Sequence, residues 1–244
     1  MTRKMLIISN PGEIGEENYC EGVNKDIKNY IQFFTSALGG GWYESEITYL
    51  ERPYPSEVDA ELQTMKTADY SVVIFCGHGC SYKGETIIEL RKGFDYRTSS
   101  FRVSAGKRTV ILDCCRVIAQ EIATGLYEFA HMNIQKRSMD KQKARRYYDE
   151  QLIKCAKGLV VMQACDIDET AGDDEKQGGY YSCSLIACAK DWGNQQNGFA
   201  KDCMSVVACH NVARSRVQSL SGGNQNPQIE KPRSMPYYPF AVIV

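Results

Sequence analysis

The chain has 244 residues and carries 29 Lys and Arg against 30 Asp and Glu, a formal net charge of -1. This length suits one α/β domain with a substantial core, and the even charge balance gives no bulk attraction for nucleic acid or an anionic membrane. No apolar run approaches the roughly 20 residues of a membrane helix, and Met5–Ile8, behind basic Arg3 and Lys4, is too short for a signal peptide, so a cytoplasmic protein is expected.

Strand and helix patterns alternate along the chain. Lys4–Ser9 reads as a strand stopped by Asn10-Pro11-Gly12. A helix follows over Glu21–Ala37, with Val23, Ile27, Ile31 and Phe34 at spacings of three and four, and Gly39-Gly40-Gly41 ends it. Glu46–Leu50 is the second strand, and Ser56 is placed as the N-cap of a helix through Met65. The third strand is 70–77. Residues 81–104 show no sustained alternation, and within them Thr86–Leu90 reads as a short hairpin arm. The fourth strand is 108–113, helical sequence extends to Lys157, and Gly158–Ala164 is the fifth strand. Helices are read over Tyr180–Trp192 and Cys203–Val217, and Phe240–Val244 as the last strand. Such alternation predicts an α/β fold, a three-layer α/β/α sandwich whose mainly parallel six-stranded sheet has helices on both faces. With no repeat or low-complexity linker, residues 1–244 read as one domain. Two charged loops interrupt it: basic 136–146, with Lys136, Arg137, Lys141, Lys143, Arg145 and Arg146, and acidic 166–175. Composition alone reads both as solvated surface.

Eleven cysteines without an export signal argue against a disulfide framework, and no pair shows Cys-x-x-Cys spacing, so most read as buried packing. Two apolar runs, however, end in reactive side chains. Ser71–Gly77 runs into His78-Gly79, and Thr109–Leu112 runs into Asp113-Cys114-Cys115. In an open parallel sheet ligands bind at the carboxyl ends of the strands, so neighbouring strands would bring an imidazole and a thiol together for nucleophilic catalysis. A free thiol titrates near pKa about 8.5. Three aids for Cys115 are read from the sequence: a helix N-terminus after the strand, the adjacent Arg116, and His78 as base. The Gly79 and Cys115 N–H groups are candidates for the oxyanion hole. Cys76-x-His78-x-Cys80 with Cys115 offers a competing metal reading, although zinc sites usually show tighter paired spacings. A redox role for the adjacent Cys114-Cys115 pair is a third alternative, weakened because neighbouring cysteines rarely form unstrained disulfides.

These residues resemble the caspase-like cysteine peptidases, nearest the metacaspases and their bacterial relatives. Phe75-Cys76-Gly77-His78-Gly79 is similar to the family's strand ending Ser-Gly-His-Gly, and Leu112–Cys115 to its Asp-x-Cys motif, which assigns the nucleophile to Cys115. Gly22–Asp26 resembles the metacaspase Gly-Cys-x-Asn-Asp segment. Gln163–Asp166 with Glu169-Thr170-Ala171, then Gly178–Ser182, then Gln225–Gln228 and Pro239-Phe240 follow the family pattern in order. The resemblance implies cleavage of protein or peptide substrates through an acyl-enzyme, with His78 as base. It also implies an acidic S1 pocket for Arg or Lys at the positions of Asp26, Asp113 and Cys76. The sequence departs from the metacaspase pattern in continuing Arg116-Val117 where that family has His-Ser-Gly; 81–104 also lacks the family's calcium-binding acidic cluster, with only Glu85, Glu89 and Asp95, so no cofactor or metal, and no calcium activation, is expected. The resemblance leans to a monomer and to self-cleavage between Lys136 and Arg146. It extends to an effector of bacterial antiviral defence or cell death, switched on by a partner or small signalling ligand. The alternative is a catalytically quiet binding or signalling module gated by such a ligand.

Overall fold

The computed structural model describes residues 1–117, 139–196 and 201–244. The chain begins with strand β1 (Arg3–Asn10), helix α1 (Glu21–Thr35), β2 (Ile47–Glu51), α2 (Pro55–Met65) and β3 (Tyr70–Gly77). Three short strands follow, β4 (Gly79–Tyr82), β5 (Glu85–Arg91) and β6 (Phe94–Arg97), and then β7 (Lys107–Asp113). The second part holds α3 (Lys141–Lys154), β8 (Gly158–Gln163), β9 (Asp173–Asp174), β10 (Gly178–Gly179) and α4 (Tyr180–Gln195). It closes with β11 (Asp202–Ser205), α5 (Val206–Leu220), β12 (Gln228–Glu230) and β13 (Pro239–Ile243).

The main sheet runs β12-β8-β7-β3-β1-β2, with five parallel strands and β12 antiparallel at one edge. Its central strands are continuous apolar runs because both faces are covered. The alternation of side chains across a strand divides each run between two clusters. Leu6, Ile8, Val73, Phe75 and Leu112 pack with Val58 and Leu62 of α2. Met5, Ile7, Val72, Ile74 and Ile111 pack with Val23, Ile27 and Phe34 of α1 and Leu185 of α4. Truncating Ile74 or Leu112 to Ala, at 0% and 1% exposure, removes about 2–5 kcal/mol by the usual cost of a core cavity.

Several elements differ from the sequence reading. The apolar tail, β13, does not join the main sheet: it pairs antiparallel with β11, and Gln228–Glu230 supplies the sixth strand instead. An apolar run of strand length specifies burial but not a partner. The helix expected from Cys203 begins at Val206, where Ser205 Oγ accepts the Ala208 N–H at 3.1 Å. Helix α2 is capped at Tyr54 rather than Ser56, because Pro55 takes the first helical position and the Glu57 carboxylate accepts the Tyr54 N–H at 2.7 Å. The hairpin arm expected at Thr86–Leu90 lies within β5, and it is the centre of a three-stranded antiparallel sheet, β4-β5-β6, that begins at Gly79 and reaches into the otherwise unpatterned 81–104. The basic loop expected at 136–146 is helical from Lys141 onward, with Arg145 paired to Glu46 at 2.6 Å; Lys136 and Arg137 lie outside the described residues.

Candidate active site

Cys76 of β3 and Asp113 of β7 are register partners, so His78 and Cys115 each lie two residues beyond a paired position at the carboxyl edge of the sheet. Gly77 makes the exit from β3. Its φ of +147 disfavours a side chain, and a Cβ there would come within 2.3 Å of Asn10 O. Asn10 anchors the neighbouring turn through Nδ2 to Glu89 O at 2.8 Å, and Gly12 follows with φ +93. A Cβ on Gly12 would lie 3.0 Å from His78 Nε2, so that glycine gives the imidazole its room. His78 Nε2 is buried without a hydrogen-bond partner. The strand β4 then turns back, and Ser81 N–H donates to Val117 O at 3.1 Å, tying the histidine arm to the cysteine segment. In the alternating pattern of an antiparallel pair, Gly79 N–H points to the same side as Ser81 N–H, toward that segment.

The adjacent thiols part company. Cys114 is 2% exposed and sits in the apolar cluster beneath β4, 2.9 Å from the position of a Cβ on Gly79. Cys115 is only partly buried, on the opposite side. Its Sγ accepts the Ala171 N–H at 3.3 Å and lies 3.7 Å from Ala171 O; no hydrogen bond joins it to His78. Burial raises the Cys115 thiol above its ordinary pKa, against the lowering effect of the Ala171 N–H.

Behind the thiol, Asp26 of α1 and Asp113 of β7 meet at the N-terminus of α4. They are 2% and 6% exposed. Gly179 N–H donates to Asp26 Oδ2 at 2.9 Å, while Ser182 donates its N–H at 2.9 Å and its hydroxyl at 2.5 Å to Asp113 Oδ2. Gly179 is the N-cap of α4 and Ser182 a first-turn donor with no intrahelical partner, at the end of the helix that favours negative charge. The support is incomplete: Asp26 Oδ1 is buried without a partner, and no Lys or Arg pairs with either carboxylate among the described residues. Burial, then repulsion by Asp113, holds Asp26 well above the carboxylate range, and burial moves Asp113 up to about 6. Cys76, also fully buried, lies beside them with its Sγ 3.9 Å from Ser182 Oγ. The structure thus gathers the three residues assigned to S1. It also covers them: a Cβ on Gly178 would fall 2.1 Å from Asp26 Oδ1, and one on Gly179 would fall 2.6 Å from Asp113 Oδ2. Only a glycine backbone, from the β9–β10 hairpin, fits over the acid pair.

A family model described as the caspase domain matches residues 2–237. The chain belongs to the caspase-domain family. Caspase-1 from Spodoptera frugiperda superposes with a TM-score of 0.57 at 9% identity, covering 99% of this chain and 90% of that one. No curated protein matches the sequence significantly. The fold is therefore caspase-like, and the family is one of cysteine-type peptidases.

In this caspase-domain chain, one of the three aids expected for Cys115 points elsewhere, and the helix expected after the strand lies beyond the described residues that follow β7. Residues 114–117 are not helical, so no helix begins at the thiol within the described residues. Arg116 turns away, with Nε donating to Thr86 Oγ1 at 2.9 Å and Nη1 to Cys165 O at 3.2 Å. Among the described residues, no three His, Cys, Asp or Glu side chains gather into a metal site. The acidic loop is not simply a solvated surface. Glu169 accepts the Asp166 N–H at 3.0 Å, the Asn226 N–H at 2.7 Å and the Asn226 side-chain amide at 2.7 Å. Gln225 donates to Ala164 O at 2.9 Å and accepts the Gly172 N–H at 3.1 Å. These contacts place Ala171 against Cys115. In the sequence, Glu169, Ala171, Ser182 and Gln225 stand within the family-like motifs without a role that their residue types alone reveal. The glycine pair before α4, with a serine in its first turn, was the one local signal for an anion-stabilising helix end.

Proposed function

We propose that this protein is a cysteine endopeptidase that cleaves after Arg or Lys. The observation that carries this reading is the buried acid pair Asp26 and Asp113. It has no cation partner among the described residues, and Asp113 stands at the end of the strand that leads to Cys115. A guanidinium or ammonium group would supply the missing donors by charge-assisted hydrogen bonds. Cys76 and Ser182 complete the wall of that pocket. His78 takes the Cys115 proton, and the thiolate attacks the scissile carbonyl carbon. The Gly79 and Cys115 N–H groups hold the oxyanion. Protonated His78 gives its proton to the leaving amine, and water then cleaves the thioester, returning the thiol.

The described arrangement is a closed form of that enzyme. Substrate entry requires the β9–β10 hairpin to lift from the acid pair and Ala171 to release the Cys115 sulfur, a gating step of the kind loops commonly provide. Self-cleavage is proposed at Lys136 or Arg137 rather than inside α3, because an extended substrate conformation would need that helix unwound. A role in bacterial defence or cell death and a monomeric state rest on the sequence resemblance alone, a cytoplasmic location on the sequence pattern, and independence from calcium on the departure from the resembled family in 81–104. The test is hydrolysis of fluorogenic Arg, Lys and Asp peptides, with and without calcium, beside Cys115→Ala, His78→Ala and Cys114→Ala. Activity on basic peptides that survives only the Cys114 change supports the reading. Activity on Asp peptides alone would overturn the S1 assignment, and silence on all of them would favour the quiet module.

A further inference from the structure

On the other side of Arg116 lies a cavity of about 210 Å³ between β5, β7 and β8. Its floor is apolar, from Val110, Leu112 and Val161. Two buried polar side chains look into it. Arg116 is 5% exposed, uses Nε on Thr86 and Nη1 on Cys165 O, and has no carboxylate partner among the described residues. Gln163 is 8% exposed, and its Oε1 accepts the Thr86 hydroxyl at 2.7 Å, while its amide NH2 makes no hydrogen bond among the described residues. Arg116 and Gln163 both line this cavity, so their remaining N–H donors are available to an acceptor bound in it. The rim carries Glu85 and the Arg102–Glu230 ion pair, at 2.8 Å. Those carboxylates disfavour a multiply charged anion.

We propose that this cavity is an effector site for a monocarboxylate with a short apolar body. The carboxylate pairs with Arg116 and Gln163, and the apolar body rests on Val110, Leu112 and Val161. The link to the thiol is short. The Arg116 N–H donates to Glu169 O at 2.9 Å, and Arg116 O accepts the Asp168 N–H at 3.0 Å. The same loop places Ala171 on Cys115 Sγ. An occupied cavity therefore acts on the contact that closes the site. This is a binding claim separate from the peptidase reading, and its test does not need turnover.

The chemistry could be presented by a free small acid or by the C-terminal carboxylate of a polypeptide. Isothermal titration of the full chain with butyrate, with butyramide, and with a short Val-terminated peptide carrying a free or amidated C-terminus separates the sources. Saturable 1:1 binding of butyrate, absent for butyramide, is expected. Gln163→Glu keeps the acceptor for Thr86, removes the donor and adds like charge, and should weaken binding at least about tenfold; Arg116→Lys should weaken it as well. Circular dichroism of both variants separates lost binding from lost folding. Free-acid peptide binding that is lost on amidation assigns a polypeptide terminus, and binding of butyrate alone assigns a small acid. Equal binding of butyrate and butyramide, binding unchanged in folded Gln163→Glu, or no saturable binding of either carboxylate would overturn the proposal.

Discussion

Cys115 Sγ is held by the Ala171 N–H at 3.3 Å rather than by His78, so the sulfur is occupied by the very loop that the family motif contributes. Burial also raises the thiol pKa. Alkylation of Cys115 by iodoacetamide at pH 7 is therefore expected to be slower than that of a free thiol, and to speed up when the loop is loosened. Glu169→Gln keeps the size of the side chain but weakens one hydrogen bond within the loop, from Asp166, and two that tie the loop to Asn226. Peptide mapping should show faster Cys115 labelling in that variant.

The acid pair sets a pH dependence for selectivity. With Asp113 at about 6 and Asp26 also raised, falling pH neutralises the pair before it neutralises ordinary carboxylates. The ratio of kcat/KM for an Arg peptide to that for its citrulline analogue should fall as pH drops through about 6. The ratio removes effects common to both substrates, including titration of the thiol and imidazole. A flat ratio would remove the pair from S1.

The same pair sets a stability dependence. A carboxyl whose folded pKa is raised binds protons more tightly in the native state, so its contribution is full below the unfolded pKa and is lost as pH rises through the folded value. Asp26→Asn keeps an oxygen for the Gly179 N–H and removes the charge. Its melting temperature should exceed that of the native chain at pH 8, with the difference closing toward pH 4. The same change should lower kcat/KM for Arg peptides by about 10–100-fold, the range for a lost charged hydrogen bond.

Cleavage at Lys136 or Arg137 should leave the two pieces associated. Lys107 to Asp113 pairs with Gly158 to Gln163 in one sheet. Arg145 holds Glu46, and the Ser182 N–H donates to Asp113 Oδ2 at 2.9 Å. Size exclusion of nicked protein should give one peak containing both fragments, whereas Cys115→Ala protein should stay intact. Identical nicks in that variant would exclude self-cleavage.

The parallel strands were legible because Leu6, Ile7, Val73, Ile74, Ile111 and Leu112 are buried on both faces and so form unbroken branched runs. The hairpin arms near Ser81 and Tyr96 were not, because each strand has one covered and one open side over only a few residues. The sheet joined by Phe240–Ile243 is a matter of partner choice that an apolar run does not encode. His78, Cys115 and Asp113 were readable as strand ends, and Asp26 entered through the family motif. The direction of Arg116 was not readable, since a guanidinium beside a thiol in sequence can leave it in space. Nor was the cover over the acid pair, which depends on the approach of Gly178 and Gly179 from a distant loop.

The most direct test of the account is covalent capture of the nucleophile, read by intact mass and peptide mapping. An arginine fluoromethyl ketone peptide should form one adduct, on Cys115, faster than the matched Asp reagent. The adduct should be lost in His78→Ala and slowed in Asp26→Asn. An adduct on Cys114, equal rates for the Arg and Asp reagents, or no adduct on Cys115 would contradict it.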